Sequence, residues 1–452
     1  MHSRFVVCNS DLMPPKSEYK PPAPSLLFEY VLNPFYSWIV EFYPRWWTPN
    51  GITIFGICCT LWGSMMIVAE TFWTSTDATD GTPRSGFFDP NLQFGVFPLN
   101  RSVWLEHERA TKSTSGQHFS EFLSEATPRW ILVIAGVLHL VYCVADNTDG
   151  KQARRLGKGS AIGEYLDHGL DCVTAMLSTY GLITVGGASV NCASFGQYLV
   201  VLAQILAHLL NYKRGVLIWG NRFLSVDEAM ISFGLFPLMV ALWPGYRRCA
   251  LPSVIIPLLG IDLGNYRLAD ALWISYLIGQ VSMMIDVLKQ SRALALRGVV
   301  FATAGLCVFM AGVAGPIFHA GGTAAGVDSQ LKSVHSLWYG LVPGLAKPSH
   351  SGISGLLMYI IGVFYHITAS YPALWATTFA FCSSTLIHVP IIAKCRHLSE
   401  MQQRRPIQAV GIALGLFALS PPLGCLAAIG FHVVQIAVNI RAIQSDANVA
   451  RK

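Results

Sequence analysis

Uncharged apolar stretches recur along the chain near 52–69, 131–145, 170–188, 196–212, 229–244, 271–288, 298–318, 353–370, 371–393, 407–420 and 421–440. Runs of roughly 17 to 25 apolar residues can cross a bilayer as helices, and in hydrocarbon a helix satisfies its own backbone hydrogen bonds. Some of these stretches are short or run together, so the pattern predicts an all-α, polytopic membrane helix bundle of about ten transmembrane helices. With 53% hydrophobic and only 12% charged residues in 452, the composition excludes a large soluble protein.

The net charge of +6 is not a nucleic-acid signal, because the basic residues sit in short clusters between apolar stretches. No nucleic-acid partner is expected. By the positive-inside rule, Lys151, Arg154, Arg155 and Lys158, then Lys213, Arg214 and Arg222, then Lys289, Arg292 and Arg297 mark one cytoplasmic face. Lys394, Arg396, Arg404 and Arg405 belong to that face too, although counting every stretch after 297 puts them opposite. One stretch between 298 and 393 is therefore expected not to span fully. The 11 cysteines are scattered without a Cys-x-x-Cys pair, which suits neither a disulfide framework nor a zinc site. No basic region followed by an apolar core and cleavage site precedes Tyr19, so targeting is assigned to the first spanning helix.

Residues 1–25 are polar and proline-containing and read as a disordered cytoplasmic tail. Residues 26–50 combine Leu27, Tyr30, Phe35, Trp38, Phe42, Trp46 and Trp47 with Glu29, Glu41 and Arg45, the mix expected of an N-terminal amphipathic helix lying in the membrane interface. They end in a proline–glycine interruption, Pro49-Asn50-Gly51-Ile52-Thr53, just before the first span. Residues 51–235 form the next unit, with 70–129 as a lumenal insertion carrying the sequon Asn100-Arg101-Ser102. Residues 236–452 read as membrane scaffold. His366, His388 and His432 there are read as hydrogen-bonded structural groups, against contact with a lipid or a partner subunit.

Four aspartates, Asp146, Asp149, Asp167 and Asp171, fall within 26 residues at the ends of two of these stretches. An ionised carboxylate at membrane depth costs on the order of 3 kcal/mol on insertion scales unless it is paired or hydrated, so four together need a shared explanation. A helix ending near Arg155 puts Asp146 and Asp149 at i, i+3, and one beginning near Ala161 puts Asp167 and Asp171 at i, i+4. If Gly157 and Gly159 turn the chain back, the two faces meet around one cavity. Hard oxygen ligands without a cysteine or histidine cluster suit Mg2+ or Mn2+. His168 offers a neutral imidazole as general base, and a further reading has His168 merely orienting Asp167. Arg154 suits phosphate oxygens, unless it anchors topology, which Arg155 could do alone. Gly150, Ala153 and Gly163 either allow close approach of a ligand to the backbone or serve helix packing.

Read with its spacers, the segment is Asp146-x2-Asp149-Gly150-x2-Ala153-Arg154-x8-Gly163-x3-Asp167-x3-Asp171. It resembles the signature of the CDP-alcohol phosphotransferase family at all eight fixed positions. The wording Asp149-Gly150-Lys151-Gln152-Ala153-Arg154-Arg155 and Asp167-His168-Gly169 resembles the eukaryotic choline/ethanolaminephosphotransferase branch. Residues 156–162 depart from the wording common in that branch but keep its length. The resemblance implies two Mg2+ ions (or Mn2+) held by Asp146, Asp149, Asp167 and Asp171, with His168 as base and Asp171 as the alternative base. It assigns Arg154 to the CDP phosphates and Asn50 to the nucleotide site. It also implies that residues 51–235 are the catalytic unit and that 236–452 supply lipid-access and dimer helices, with CDP-choline or CDP-ethanolamine as donor, diacylglycerol from the membrane lipid as acceptor, and a homodimer. The site is expected to face the cytosol from the endoplasmic reticulum or a related endomembrane such as the Golgi. A CDP-diacylglycerol-dependent enzyme with an acceptor such as inositol is disfavoured by Lys151-Gln152 and the Asp-His-Gly wording. A divalent-cation transporter is disfavoured because the acids cluster on one helix pair instead of spreading through the bilayer.

Overall fold

The computed structural model describes residues 25–76, 127–186, 190–218, 225–243, 372–399 and 401–449, with isolated positions between 220 and 287. The elements are a π-turn at Phe28–Leu32 leading into α1 (Asn33–Glu41), then α2 (Pro49–Thr76), α3 (Arg129–Leu156), α4 (Ala161–Val185), α5 (Val190–Arg214) and α6 (Val226–Leu242). After them come α7 (Pro372–Cys395), α8 (Arg404–Leu419) and α9 (Pro421–Val449). The bundle is helical as expected, with one small exception: β1 (Ile255–Ile256) and β2 (Ile261–Asp262) pair antiparallel. Four of the described helices are long and apolar enough to cross a membrane, in α2, α3, α7 and α9. The chain is an integral membrane protein. The expected tail before Ser25, most of the 70–129 insertion, the stretches at 298–318 and 353–370, and His366 lie outside the described residues.

The α3–α4 hairpin forms where the glycines predict it. α3 continues well past the apolar stretch at 131–145 and stops at Leu156, because Gly157 adopts φ +65°, a left-handed conformation that a side chain disfavours. The Lys158 and Gly157 amides then cap the Ala153 and Arg154 carbonyls at 2.9 and 3.2 Å. Ser160 starts α4 by accepting a hydrogen bond from the Gly163 amide at 3.1 Å.

α2 lies along α3 and α4, α6 along α3, and α7 between α4, α5 and α9. A cβ on Gly136 of α3 would sit 2.7 Å from the Gly234 carbonyl oxygen of α6, so these two helices meet backbone to backbone. The largest apolar cluster joins Cys172, Val173, Met176 and Leu177 of α4 to Val200, Ala380, Ile387, Ile391 and Ile443 of α5, α7 and α9. α4 is thus the central helix. Outward-facing Phe55, Trp62, Trp130, Val137, Leu426 and Val434 give the bundle an apolar exterior suited to lipid.

Polar side chains inside the bundle are largely paired, as a low-dielectric interior requires. His139 donates from Nδ1 to the Ala135 carbonyl at 2.7 Å, leaving Nε2 as an acceptor 3.1 and 3.0 Å from the hydroxyls of Ser64 and Ser178, which lie 3.0 Å from each other. α1 is pinned to α3 by polar contacts: Lys151 reaches Asn33 and Ser37, and Gln152 donates to the Pro44 and Trp47 carbonyls. Between them Tyr36 is buried against α3, with its hydroxyl 3.2 Å from Cys143 Sγ, and burial holds its phenol above the ordinary range.

A carboxylate centre at the α3–α4 hairpin

The turn end of the α3–α4 hairpin collects the aspartates. Carboxylate oxygens of Asp146, Asp167 and Asp171 lie within 4.8 Å of one another. Asp146 Oδ1 is buried without a hydrogen-bond partner. Three mutually close carboxylates and an orphaned oxygen fit a divalent cation, which would supply the missing ligand contact and cancel the repulsion. Asp171 is held from one side, since the Tyr142 hydroxyl donates to its Oδ1 at 2.7 Å. Tyr142 sits one turn before Asp146 on α3, so a single helix face carries both a carboxylate and the clamp for its partner.

Asp149 stands slightly apart from that trio. It is buried and accepts a hydrogen bond from Thr53 of α2. The same Thr53 hydroxyl lies 3.2 Å from the Pro49 carbonyl, which ties Asp149 to the first turn of α2. Asn50 is in that turn, and its Oδ1 lies 3.0 Å from where a Cβ on Gly163 would stand. The structure therefore brings Asn50 and Gly163 together across α2 and α4. Gly150 and Ala153 are half-buried on α3, beside Asp149.

The two neighbouring arginines separate cleanly. Arg155 donates to the Val40, Tyr43 and Glu41 carbonyls at 3.0, 2.8 and 3.3 Å, closing the C-terminal end of α1. Arg154 is exposed and makes no side-chain hydrogen bond among the described residues. One of its guanidinium nitrogens lies 3.6 Å from the Cβ position of Gly150, so the side chain folds back over the turn that carries Asp149. An uncommitted guanidinium beside a carboxylate cluster is positioned for an anionic ligand.

His168 is mostly buried on α4, with Nε2 3.8 Å from Asp167 Oδ2, too far for a direct hydrogen bond. Its ring is 5.9 Å from that of His208 on α5. Glu164, one turn before His168, forms an ion pair with Lys394 at the end of α7. Tyr212 donates to the Leu398 and Ser399 carbonyls at 2.9 and 2.8 Å, and Arg396 pairs with Asp446 at 2.7 Å. The basic cluster at 394–405 consequently shares the carboxylate end of the bundle, where charge had assigned it. Thr53, Tyr142, Glu164 and Lys394 are site neighbours that the sequence reading did not assign. Thr53 had a signal, since it closes the Pro-Asn-Gly-Ile-Thr element; the Glu164–Lys394 pairing had none.

Fold and site together define a polytopic helical membrane protein whose carboxylate centre suits a divalent cation and an anionic ligand. Residues 119–258 match the family model of CDP-alcohol phosphatidyltransferase. That stretch is therefore similar to a domain of this family, and several of the chain's curated relatives are named ethanolamine- or cholinephosphotransferases, the branch its wording resembles. It is 27% identical to human ethanolaminephosphotransferase 1 over 211 residues, covering 45% of this chain and 42% of the relative. It is 23% identical to zebrafish (Danio rerio) cholinephosphotransferase 1 over 242 residues, 53% and 49% of the two chains. It is 28% identical to Arabidopsis thaliana choline/ethanolaminephosphotransferase 2 over 174 residues, 38% and 32%. The chain thus spans less than half the length of these curated relatives.

Proposed function

We propose that the protein transfers phosphocholine or phosphoethanolamine from its CDP-activated form to diacylglycerol, giving a phospholipid and CMP. The convergence of Asp146, Asp167 and Asp171 at the end of a helix hairpin, with Arg154 uncommitted beside them, carries this reading. Asp146, Asp149, Asp167 and Asp171 would hold two Mg2+ ions, or Mn2+, at the site. Such cations, when bound, neutralise diphosphate charge and stabilise a leaving phosphate.

The chain's own groups do the rest. Arg154 binds phosphate oxygens, and Asn50 with Gly163 receives the nucleotide where α2 crosses α4. Gly150 and Ala153 leave room on the α3 face. His168 takes the proton of the acceptor hydroxyl, with Asp171 as the alternative base. The hydroxyl oxygen forms a new bond to the head-group phosphorus while the bond from that phosphorus to CMP breaks, and CMP leaves as the anion.

The same reading extends to the whole molecule. It has about ten transmembrane helices; residues 51–235 carry catalysis and 236–452 supply lipid access and dimer contacts. α1 lies on the membrane surface, supported by the exposed Tyr30, Val31, Phe35, Trp38, Phe42 and Trp46 opposite buried Tyr36 and Val40. The carboxylate end faces the cytosol, where the basic clusters gather and a soluble CDP-alcohol can reach it. The enzyme resides as a homodimer in the endoplasmic reticulum or a related endomembrane.

Radiolabelled head-group transfer by purified protein in detergent, with diacylglycerol and Mg2+, tests the reading. Label is expected in phospholipid from CDP-choline or CDP-ethanolamine, with the preferred donor set by the rates, and lost in Asp149→Ala. A folded wild-type protein that transfers neither head group overturns it.

A further inference from the structure

We infer that His388, on α7, is a positioning residue for the carboxylate centre, an inference that rests on the reading of that centre as a cation site. The observation is a hydrogen-bonded chain through three helices. Asn439 Nδ2 of α9 donates to the Tyr165 hydroxyl of α4 at 2.9 Å. That hydroxyl lies 2.6 Å from His388 Nδ1, and His388 Nε2 lies 2.8 Å from the Gly169 carbonyl oxygen. A carbonyl can only accept, so Nε2 carries the proton and Nδ1 accepts from Tyr165. Each donor and acceptor in the series then has one direction.

The chain ends on the turn of α4 that carries the chemistry. Gly169 follows Asp167 and His168 and precedes Asp171 by two residues. Its carbonyl accepts the imidazole bond in addition to its place in the helix, using the second lone pair. The imidazole lies so close that a Cβ on Gly169 would meet His388 Cε1 at 2.9 Å and Nε2 at 3.1 Å. Glycine is therefore needed at 169 for the bond to form. His388 and Tyr165 are 0% and 1% exposed, with rings 5.2 Å apart and nearly perpendicular, so neither has an alternative partner in solvent.

Buried in this way, the imidazole fixes the height and rotation of one turn of α4. Asp167 and Asp171 lie on the two sides of Gly169 along that helix, and their oxygens must meet Asp146 within a few ångström. Groups that hold metal ligands in place from behind typically matter 10–100-fold in affinity or activity. The C-terminal helices, which read as scaffold from sequence, thereby set the geometry of a site two hundred residues away.

The test is Mn2+ binding by the full chain in detergent, followed through the spectrum of the free ion, alongside head-group transfer. His388→Leu is expected to weaken Mn2+ binding roughly 10–100-fold and to lower transfer with it. His388→Gln, which keeps an N–H near the position of Nε2, is expected to restore binding to within about threefold of wild type, a margin smaller than one net hydrogen bond. Tyr165→Phe removes a single oxygen and is expected to weaken binding roughly fivefold, which keeps the question answerable if His388→Leu does not fold. His432→Leu, replacing another buried imidazole 4.8 Å from His388 that has no bond to α4, serves as the control and is expected to bind Mn2+ as wild type does. Unchanged binding in His388→Leu and Tyr165→Phe overturns the inference, and so does equal weakening in His432→Leu. Mn2+ binding is read without substrate, so a wild-type protein that binds Mn2+ but transfers neither head group fails the functional reading alone.

Discussion

Arg154 and Arg155 carry the same charge at adjacent positions and do different work, because a helix points them about 100° apart. Arg155 spends its donors on the carbonyls that end α1, and Arg154 spends none on the protein. Hydrogen bonds from a charged group are worth about 1.5–3 kcal/mol when buried, and the Arg155 side chain is 24% exposed, so its net contribution is about 1–2 kcal/mol. Arg155→Ala is therefore expected to lower the thermal unfolding midpoint in detergent with a modest effect on transfer. Arg154→Ala is expected to leave the midpoint unchanged and raise the KM for the CDP-alcohol about tenfold or more, the loss of one charge-assisted phosphate contact. Reversal of the two outcomes would mean that Arg154 is the anchor. The sequence alone allowed both roles for Arg154, since only the position of α1 decides between them.

At the scale of the helix, spacing is enforced where glycines let backbones touch. An alanine methyl at 136 would lie 2.7 Å from a backbone oxygen of α6, which cannot rotate away as a side chain could. Gly136→Ala is expected to cost about 1–3 kcal/mol of stability through displacement of α6. Gly411→Ala, with open space around its Cβ position, is expected to cost nothing and serves as the comparison in the same melting experiment. The α3–α4 hairpin was legible in the sequence for a related reason: Gly157 and the spacing of the aspartates are local signals, readable within 26 residues. Among the described residues helix existence was legible too, though not every boundary, because α3 runs beyond its apolar stretch to place the acids toward its end. What stayed hidden was pairing over distance. Thr53 meets Asp149 across 96 positions and His388 meets Gly169 across 219, and no periodicity in one helix tells which face of another it will meet.

For the molecule as a whole, the carboxylate centre is where α3 and α4 meet through groups that repel one another, with α2 hydrogen-bonded to Asp149 beside them. Asp146 and the two acids of α4 come together because α2 packs along both α3 and α4, so burial there offsets an electrostatic cost at the turn end of the hairpin. A cation reverses the sign of that cost. It binds the folded arrangement and not the separated helices, so it stabilises by linkage, about 2.7 kcal/mol at one hundred times its dissociation constant. The thermal unfolding midpoint of the purified protein is expected to rise with added Mg2+ or Mn2+ and to fall again with a chelator. Asp146→Asn combined with Asp171→Asn removes two of the three mutually repelling charges. That variant is expected to melt above the cation-free wild type and to lose the cation dependence, since the repulsion and the ligands vanish together. A wild-type midpoint indifferent to divalent ions, with the double variant melting lower, would mean that hydrogen bonding alone holds these carboxylates and that no cation belongs to the fold.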